Sequence, residues 1–471
     1  MLEITDILEA TRGTLLAEGA GLFRGLSIDS RTIKEGEMFV ALKGERFDGH
    51  DFVGASLKVA AGALVSRNWA SQGNLLNEGK TLISVDDTLS ALHDIARFIR
   101  RKFKGPVIAV VGSNGKTTTK ELIASILGTR FNVLKTEGNL NNHVGMPLCM
   151  TRVSDGSDAM VLEMGTNRPG DVDLLCTIAS PDIGVVTNIG FEHLEGFGSL
   201  EAVRDAELEI LPHVNKMVLN GDDSFLIGDV SLKFRGPLIT FGINNKENDV
   251  KALDIAASEE GTGFILSVSG QSTSVASKLF GSFNVYNSLA ACAVAHTFGI
   301  EIDKMKRGLE AFGGVGMRFE IRKLAGVTYL YDVYNANPSS VKASMTELSK
   351  MACKPAKAGR RRTVAVLGDM LELGDYAIPA HKEIGRMLFD LHIDQFIGVG
   401  PLMAGAVSGF AESGGAGISK GNAEEAGIEL AKLVREGDVV LIKGSRGMKM
   451  EKVLEIVEGT ARNSAAEKGR I

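Results

Sequence analysis

Short apolar runs and one amphipathic stretch organise the first hundred residues. Three apolar runs predict strands, at 38–42, 61–66 and 81–85. Apolar positions recur at helical spacing in 91–103, a stretch that ends in basic residues and predicts a helix. The residues Lys104-Gly105-Pro106 interrupt this pattern, and a new apolar run follows them. We therefore predict an N-terminal α/β domain over residues 1–103.

A second segment alternates buried strands with helices. The run 106–112 is apolar and β-branched, as in a parallel strand buried on both faces, and a helix is predicted at 116–127. Further strands are predicted at 159–165, 183–190 and 216–221, and a long apolar helix at 283–299. This alternation indicates a doubly wound α/β domain, which we place at residues 104–319.

The third segment repeats the α/β pattern. Its predicted strands lie at 328–334, 362–368, 395–400 and 438–444, with helices between them. Residues 354–362 are strongly basic and predict an exposed loop. A third domain over 320–471 agrees with the chain length of 471 residues, since domains commonly hold roughly 150 residues. The predicted fold class is α/β with three domains.

Composition narrows the class of protein. The formal net charge is -6, whereas general nucleic-acid binders are more often basic. The four cysteines are far apart and form no CxxC pair or zinc-finger spacing with histidine, so we expect reduced, buried thiols. The N-terminus lacks the apolar core of a signal peptide, and no apolar run approaches the roughly 20 residues that span a bilayer. We expect a soluble cytoplasmic protein without membrane insertion.

A glycine-rich turn, Gly112-Ser-Asn-Gly-Lys-Thr-Thr118, follows the strand 106–112 and opens a helix. Backbone N–H groups in such a turn, together with the helix N-terminus, form a cradle for phosphate. Lys116 is expected to neutralise the β- and γ-phosphates and the Thr117 hydroxyl to ligate Mg²⁺. The strict P-loop pattern asks for glycine where this chain has Val110. The alternative is a tight turn with a solvated lysine.

Glu163 and His193 each follow a predicted strand of the second segment. Parallel strands deliver their carboxyl ends to one crevice, so both side chains are expected to converge on the phosphate loop as a metal centre. The alternatives are a structural histidine and a helix-capping acid. Asn139 and Asn142 lie in TEGNLNNHVGMP (136–147) and are candidates for orienting phosphate oxygens or a substrate carboxylate. An Asn-rich turn is the alternative there.

At this point a series of collinear motifs resembles the Mur ligases. The motifs are DSRTIKEGEMFVALKGERFDGHDFV (29–53), GSNGKTTTKE, TEGNLNNHVGMP, EMGTNRPGDV, NIGFEHLEGFGS, GSFNVYNSLAA (281–291), MRFE (317–320), DVYNANPSS (332–340), LGDMLELG (367–374) and KGSRGMKME (443–451). The resemblance implies a smaller α/β N-terminal domain that binds a UDP substrate. It also implies a central P-loop ATPase domain with a mostly parallel sheet and a Rossmann-like C-terminal domain.

The motif DVYNANP (332–338) resembles the family member that joins D-alanyl-D-alanine to UDP-MurNAc-tripeptide through an acyl phosphate. The DNPR motif typical of the diaminopimelate-adding member is missing from the sequence. The resemblance thus implies ATP and Mg²⁺ as cofactors, those two substrates as partners, and a monomer. The alternatives are another Mur ligase or folylpolyglutamate synthase. A further alternative is a regulatory P-loop switch that ligates nothing. It would leave the N-terminal motif at 29–53 and the KGSR motif at 443–446 without a role.

The resemblance also implies roles for individual residues. On the nucleotide side it implies phosphate binding by Gly112, Ser113, Asn114, Gly115, Lys116, Thr117 and Thr118, Mg²⁺ ligation by Thr117, Glu163 and His193, adenine contacts by Asn284 and Asn287, and nucleotide contacts by Arg318 and Asp332 when the C-terminal domain closes. It also implies uridine-nucleotide binding by Ser30, Arg31 and the loop 47–50. Further residues are implied to face the substrate side: Tyr334, Asn335, Asn337, Lys443, Ser445 and Arg446.

One position departs from the family pattern. The stretch 199–210 matches S-L-E-x-x-x-x-A-K-x-E-I, in which the family's lysine is carbamylated and helps to hold a second Mg²⁺. Glu207 stands at that lysine position. A glutamate supplies a carboxylate directly but is several bonds shorter, so we expect a catalytic role for Glu207 near the second cation. The alternative is a solvated helix residue, with that cation held by substrate phosphates alone.

Overall fold

The structure is a computed structural model that describes residues 1–72, 79–258, 260–352 and 360–468. Three larger sheets are each built from one continuous stretch of chain, flanked by helices. The predicted α/β class is confirmed, because all three sheets are mostly parallel and each has antiparallel strands at one edge. The domain limits at residues 103 and 319 stay predictions.

The N-terminal region forms a five-stranded sheet in the order β2-β7-β6-β5-β4. Its elements are β1 (Leu2–Glu3), α1 (Ile4–Thr11), β2 (Thr14–Ala17), β3 (Leu22–Phe23), β4 (Leu26–Ser27), β5 (Met38–Val40), α2 (Val53–Leu57), β6 (Gly62–Ser66), α3 (Arg67–Ser71), β7 (Thr81–Val85) and α4 (Thr88–Lys102). Helix α4 begins three residues before the predicted start because the Asp87 carboxylate accepts from the Ser90 N–H, 2.6 Å away, and caps it.

The central region forms a nine-stranded sheet in the order β16-β15-β14-β13-β12-β11-β8-β10-β9, parallel from β14 to β9. Its elements are β8 (Val107–Val111), α5 (Lys116–Leu127), β9 (Val133–Lys135), α6 (Gly145–Met150), β10 (Ala159–Glu163), α7 (Asp171–Ala179), β11 (Ile183–Val186), α8 (Leu194–Phe197), α9 (Leu200–Glu207), β12 (Lys216–Asn220), α10 (Ser224–Lys233), β13 (Leu238–Gly242), β14 (Val250–Ala257), β15 (Thr262–Val268), β16 (Gln271–Ser277), α11 (Ser282–Thr297) and α12 (Ile302–Ala311).

The C-terminal region forms a six-stranded sheet in the order β17-β18-β22-β19-β20-β21, with only β17 antiparallel. Its elements are β17 (Glu320–Leu324), β18 (Val327–Asp332), α13 (Pro338–Ala352), β19 (Thr363–Gly368), α14 (Ala377–Asp390), β20 (Gln395–Val399), α15 (Met403–Glu412), β21 (Gly417–Lys420), α16 (Ala423–Leu433), β22 (Val439–Lys443) and α17 (Glu451–Lys468). Short 3₁₀ helices occur at 49–52, 208–213, 374–376 and 446–448.

The predicted basic loop is corrected in part. Residues 353–359 lie outside the described residues, but Arg362 is half-buried and its guanidinium pairs with Asp438, 2.7 Å away. Cys149, Cys176 and Cys292 are free and buried as predicted, while Cys353 lies outside the described residues. Within the described part of the chain, no helix has the length and apolar character needed to cross a membrane.

The order of the central strands positions the candidate site. Strand β8 is buried along its whole length and lies between β11 and β10, parallel to both. The carboxyl ends of these three strands therefore open at one edge of the sheet. The glycine-rich turn follows β8, Glu163 ends β10, and the segment 187–193 follows β11.

Candidate active site

A cleft of about 720 Å³ lies at this edge, between the central sheet and the C-terminal sheet. Most residues predicted for the nucleotide and for the substrate side line it: Ser113, Asn114, Gly115, Lys116, Thr117, Thr118, Asn139, Asn142, Glu163, His193, Asn284, Asn287, Arg318, Asp332, Tyr334, Asn335, Asn337, Lys443, Ser445 and Arg446. The structure thus brings together side chains that are separated by more than 300 positions in the chain.

Two glycines give the phosphate loop its backbone path. Gly112 has φ +116°, and a Cβ there would lie 2.3 Å from the Thr187 hydroxyl. Gly115 has φ +83°, and a Cβ there would lie 2.3 Å from Oδ1 of Asn287. Positive φ and this close approach both require glycine, and helix α5 starts at the next residue, Lys116. The turn therefore has the strand–loop–helix context of a phosphate cradle.

The segment after β11 holds the loop in place. The Ser113 N–H donates to the Asn188 carbonyl, 2.9 Å away. The Thr187 hydroxyl donates to the carbonyl of Asn114 at 2.7 Å, and the Gly190 N–H donates to the Ser113 hydroxyl at 2.8 Å. These bonds make β11 and the phosphate loop one rigid unit.

Lys116 is half-buried rather than solvated, so the solvated-lysine alternative is wrong. Its ammonium donates to the Gly112 carbonyl and lies 3.7 Å from Oε2 of Glu192. Burial lowers the pKa of Lys116, but neighbouring carboxylates raise it by more, so the pKa lies above its ordinary value. These carboxylates belong to Glu192, Glu207 and Glu163. Lys116 is therefore a fixed positive charge beside the loop.

Glu163 is buried at the end of β10 and is not the helix-capping acid considered above. Its Oε1 accepts from the side-chain amide of Asn141, 2.9 Å away. Its Oε2 has no hydrogen-bond partner and lies 3.7 Å from the ammonium of Lys120, which is fully buried. A buried carboxylate oxygen left unbonded at the cleft is suited to a cation.

His193 adopts a left-handed backbone conformation at the start of α8, with φ 46°. Its Nδ1 lies 2.6 Å from Oε2 of Glu372, a residue of the C-terminal region. Burial lowers the pKa of His193, although Glu372 opposes this effect. An Nδ1–H donated to a carboxylate leaves Nε2 as the ring atom available to a ligand, as in metal-binding histidines.

The donor set fits Mg²⁺. Among the described residues, no three His, Cys, Asp or Glu side chains are grouped to hold a metal ion by themselves. Mg²⁺ is instead usually bound by one or two carboxylates together with phosphates and water. The free Oε2 of Glu163 and the Thr117 hydroxyl are hard oxygen ligands at the same cleft.

Two further acids are buried behind Lys116. Glu207 is 0% exposed, and its Oε2 accepts from the Gly112 N–H, 2.8 Å away. The adjacent Glu192 is also buried, and Oε1 of each acid lacks a hydrogen-bond donor. Burial raises the pKa of both carboxyl groups, opposed by Lys116. The solvated-helix alternative for Glu207 is therefore wrong.

The candidate adenine side lies on helix α11. Asn284 and Asn287 are both buried, and the amide of Asn287 donates to Oδ1 of Asn284 at 3.0 Å. The hydroxyl of Tyr286 donates to Asp222, 2.8 Å away. Asp222 also accepts the N–H groups of residues 243–245. This cluster fixes the loop beside α11, and sequence reasoning missed it.

The C-terminal motif reaches the phosphate loop directly. The amide of Asn337 donates to Oδ1 of Asn114 at 2.9 Å, and the Arg318 guanidinium lies 3.9 Å from the ring centroid of Tyr334. Lys443 was predicted to face the substrate, but its ammonium is buried in an ion pair. It is 2% exposed and its ammonium lies 2.6 Å from the Asp332 carboxylate, so each neutralises the other.

The predicted uridine-nucleotide residues lie apart from this cleft. Ser30 and Arg31 do not appear among its lining residues. Arg31 instead binds the Asp29 carboxylate through two hydrogen bonds, of 2.9 and 2.7 Å, which lower the pKa of Asp29 to about 2. His50 is buried, with Nδ1 2.6 Å from Asp48 and Nε2 accepting from the Ser66 N–H. The bond to Ser66 anchors the loop 47–50 to the end of strand β6 in the N-terminal sheet.

Sequence reasoning missed two charged residues that line the cleft, Glu192 and Glu372, and a fully buried one near it, Lys120. Glu192 precedes His193 in the chain, Lys120 follows the loop lysine by four positions, and Glu372 lies in LGDMLELG. Each lies inside or beside a motif, which was the available signal. Asn142 has a local role besides its predicted one, because its Oδ1 accepts from the N–H groups of Val144 and Gly145 at the start of α6.

Comparisons with known proteins agree with this architecture. The family profile described as "Mur ligase family, catalytic domain" matches residues 22–100. The profile "Mur ligase middle domain" matches 110–295, and "Mur ligase, glutamate ligase domain" matches 317–446. The chain is 35% identical to the UDP-N-acetylmuramoyl-tripeptide–D-alanyl-D-alanine ligase of Bacillus subtilis, covering 96% of this chain and 97% of the relative. It is 34% identical to the Escherichia coli ligase of that name, covering 97% of each.

Solved structures show the same fold. MurF from Acinetobacter baumannii superposes with a TM-score of 0.85 at 29% identity, covering 97% of this chain and 98% of that chain. MurF ligase from Thermotoga maritima, solved in complex with ADP, superposes with a TM-score of 0.79 at 31% identity, covering 94% and 98%.

Proposed function

The chain belongs to the Mur ligase family, and we propose that it joins D-alanyl-D-alanine to UDP-MurNAc-tripeptide while converting ATP to ADP and phosphate. The product is the UDP-MurNAc-pentapeptide precursor of peptidoglycan. The observation that carries the proposal is the contact of DVYNANP with the phosphate loop, through Asn337 and Asn114. That contact brings the motif that distinguishes this family member to the site of phosphoryl transfer.

The carboxylate of the tripeptide is a poor electrophile, so the reaction begins with its activation. An oxygen of the tripeptide carboxylate attacks the γ-phosphorus of ATP, ADP leaves, and an acyl phosphate remains. The amine of D-alanyl-D-alanine then attacks the acyl carbon, phosphate leaves, and the amine proton passes to a base or water. Phosphoryl transfer of this kind depends mainly on positioning and on neutralising charge.

This chain's residues supply both the positioning and the neutralisation of charge. The N–H groups at the start of α5 and the Lys116 ammonium face the phosphates, and the C-terminal region covers the cleft against water that would hydrolyse the acyl phosphate. Asn284 and Asn287 hold the adenine, Arg318 and Asp332 contact the nucleotide, and the loop 47–50 with Ser30 and Arg31 holds the uridine nucleotide.

Mg²⁺ is the proposed metal, with Thr117, Glu163 and His193 as its protein ligands. When bound, it would neutralise charge on the transferring phosphoryl group. We further propose that the protein acts in the cytoplasm as a monomer, and that it serves cell-wall biogenesis and thereby cell shape and division.

A substrate panel tests the assignment against the other family members and against folylpolyglutamate synthase. ATP-dependent product formation is measured by mass spectrometry for D-alanyl-D-alanine, diaminopimelate, D-glutamate and L-alanine, each with its matching acceptor, and for a folate with glutamate. We expect product only from UDP-MurNAc-tripeptide with D-alanyl-D-alanine. Product from another pair, with none from this one, would overturn the assignment.

A further inference from the structure

Glu207 contacts the phosphate loop at the backbone N–H of Gly112, a residue that is not among those lining the cleft. The Gly112 N–H is buried and donates to Oε2 of Glu207 at 2.8 Å, whereas the loop's Ser113 and Asn114 are held by the segment after β11. Gly112 also has positive φ and no space for a side chain. The first residue of the loop is thus fixed at its N–H by a single side chain that lies 95 positions away.

The helix that carries Glu207 is itself rigidly held. Val203 and Ala206 of α9 are buried in a hydrophobic cluster shared with C-terminal residues such as Leu330 and Val341. Glu207 is the last residue of α9 and is completely buried. Its carboxylate therefore cannot swing into the cleft without leaving the Gly112 N–H unpaired, which is costly in a buried site.

Taking the proposed ligase function as given, we infer that Glu207 is a positioning residue, which sets the backbone of the phosphate loop by accepting the Gly112 N–H rather than by ligating a cation. The side-chain oxygen accepts the Gly112 N–H at 2.8 Å, and this bond restrains the loop before nucleotide arrives. Preorganised N–H groups then bind phosphate without reordering the loop.

A positioning residue and a cation ligand would respond differently to two substitutions of Glu207. Glu207→Gln keeps a carbonyl oxygen of the same reach for the Gly112 N–H but removes the charge a cation needs. Glu207→Met fills the space without any acceptor. Glu209→Met is the matched control, because Glu209 lies two residues away and accepts the N–H groups of Gly170 and Asp173 at helix α7 instead.

The experiment is calorimetric titration with ADP in excess EDTA, so that no divalent cation contributes. Without an acceptor, the loop of the free protein relaxes to pair the Gly112 N–H elsewhere and must be reordered when ADP binds. We therefore expect Glu207→Met to bind ADP about ten-fold or more weakly than wild type, and Glu207→Gln, which keeps the acceptor, to stay within about two-fold. The control, Glu209→Met, should bind ADP with the affinity of wild type. In the Mg²⁺ activation curve of ligation, Glu207→Gln should keep the wild-type midpoint.

The opposite pattern overturns the inference. Wild-type ADP affinity in Glu207→Met would show that the loop does not depend on this bond, and a raised Mg²⁺ midpoint in Glu207→Gln would identify a cation ligand instead. If Glu207→Met does not fold, as judged by circular dichroism, a ten-fold loss of ADP affinity in a folded Glu207→Gln overturns the inference as well. Wild-type protein that fails to bind ADP at all would contradict the proposed function itself, which distinguishes the two failures.

Discussion

Lys120 offers the sharpest test of how the site's charges are balanced. It is 0% exposed, and its ammonium lies 2.6 Å from the Thr136 carbonyl, 3.1 Å from Glu121 and 3.7 Å from Glu163. Glu163 is only 3% exposed, so Lys120→Met leaves a buried carboxylate without its cation while nearly preserving volume. Removing one partner of a buried ion pair typically destabilises by roughly 3–5 kcal/mol, and we expect that loss here.

A double-mutant cycle measures the pair itself. Urea unfolding of the metal-free protein is followed by circular dichroism for wild type, Lys120→Met, Glu163→Gln and the double variant. Because neutralising Glu163 removes the uncompensated charge, the double variant should be more stable than Lys120→Met by about 1 kcal/mol or more. Lys135→Met is the control, since Lys135 pairs with Glu121 from a side chain that is 38% exposed. It should cost no more than about 1 kcal/mol.

Two results would refute this reasoning. The first is a Lys120→Met variant within about 1 kcal/mol of wild type, which would mean that the buried ammonium balances nothing. The second is strict additivity of the two substitutions, which would mean that Lys120 and Glu163 do not interact despite the 3.7 Å separation.

Four further outcomes are expected. Lys116→Ala should lower the rate of ligation by roughly 10²-fold or more, and a variant retaining a tenth of the rate contradicts its role. Glu163→Ala and His193→Ala should each raise the Mg²⁺ requirement or strongly lower the rate, and wild-type Mg²⁺ titrations of both would return them to structural roles. Removal of bicarbonate should leave the rate unchanged, because Glu207 replaces a carbamylated lysine, and a bicarbonate requirement would argue otherwise. Burial lowers the pKa of His381 below its ordinary value of 6.5. Its contribution to the free energy of unfolding is therefore complete above about pH 6.5 and lost as pH falls, so His381→Gln should flatten the decline in urea stability from pH 7 to 5, and equal slopes would count against it.

Local patterns in the sequence predicted the elements that local interactions determine. Helix 116–127 has the predicted limits, because the left-handed Gly115 ends the loop and a run of helix-compatible residues follows. The strands that were predicted begin within one residue of their predicted starts and end within four of their predicted ends, since continuous apolar runs are typical of strands covered on both faces.

The antiparallel ribbon β14–β16 was not predicted. Its strand Gln271–Ser277 consists mostly of polar residues, and only Val275 and Ser277 in it are buried. Pairing with the neighbouring strand, rather than an apolar pattern, makes it a strand. Such long-range pairing leaves little trace in a single sequence.

Some residues of the candidate site were likewise predictable from the sequence, and others were not. Motifs identified Lys116 and Glu163 because both end or follow a recognisable strand. They did not identify Glu192 or the true surroundings of Glu207, since a glutamate in a helix or loop is usually exposed. Burial of these acids depends on how α9 and the segment after β11 pack against the phosphate loop, and only the three-dimensional structure contains that information.

The most direct test of the proposed function is phosphate release by the purified protein with ATP, Mg²⁺ and UDP-MurNAc-tripeptide, with and without D-alanyl-D-alanine. The account predicts rapid release only when the dipeptide is present, with one pentapeptide formed for each phosphate. Equal release in both samples, or release without any UDP-MurNAc-pentapeptide, would contradict it.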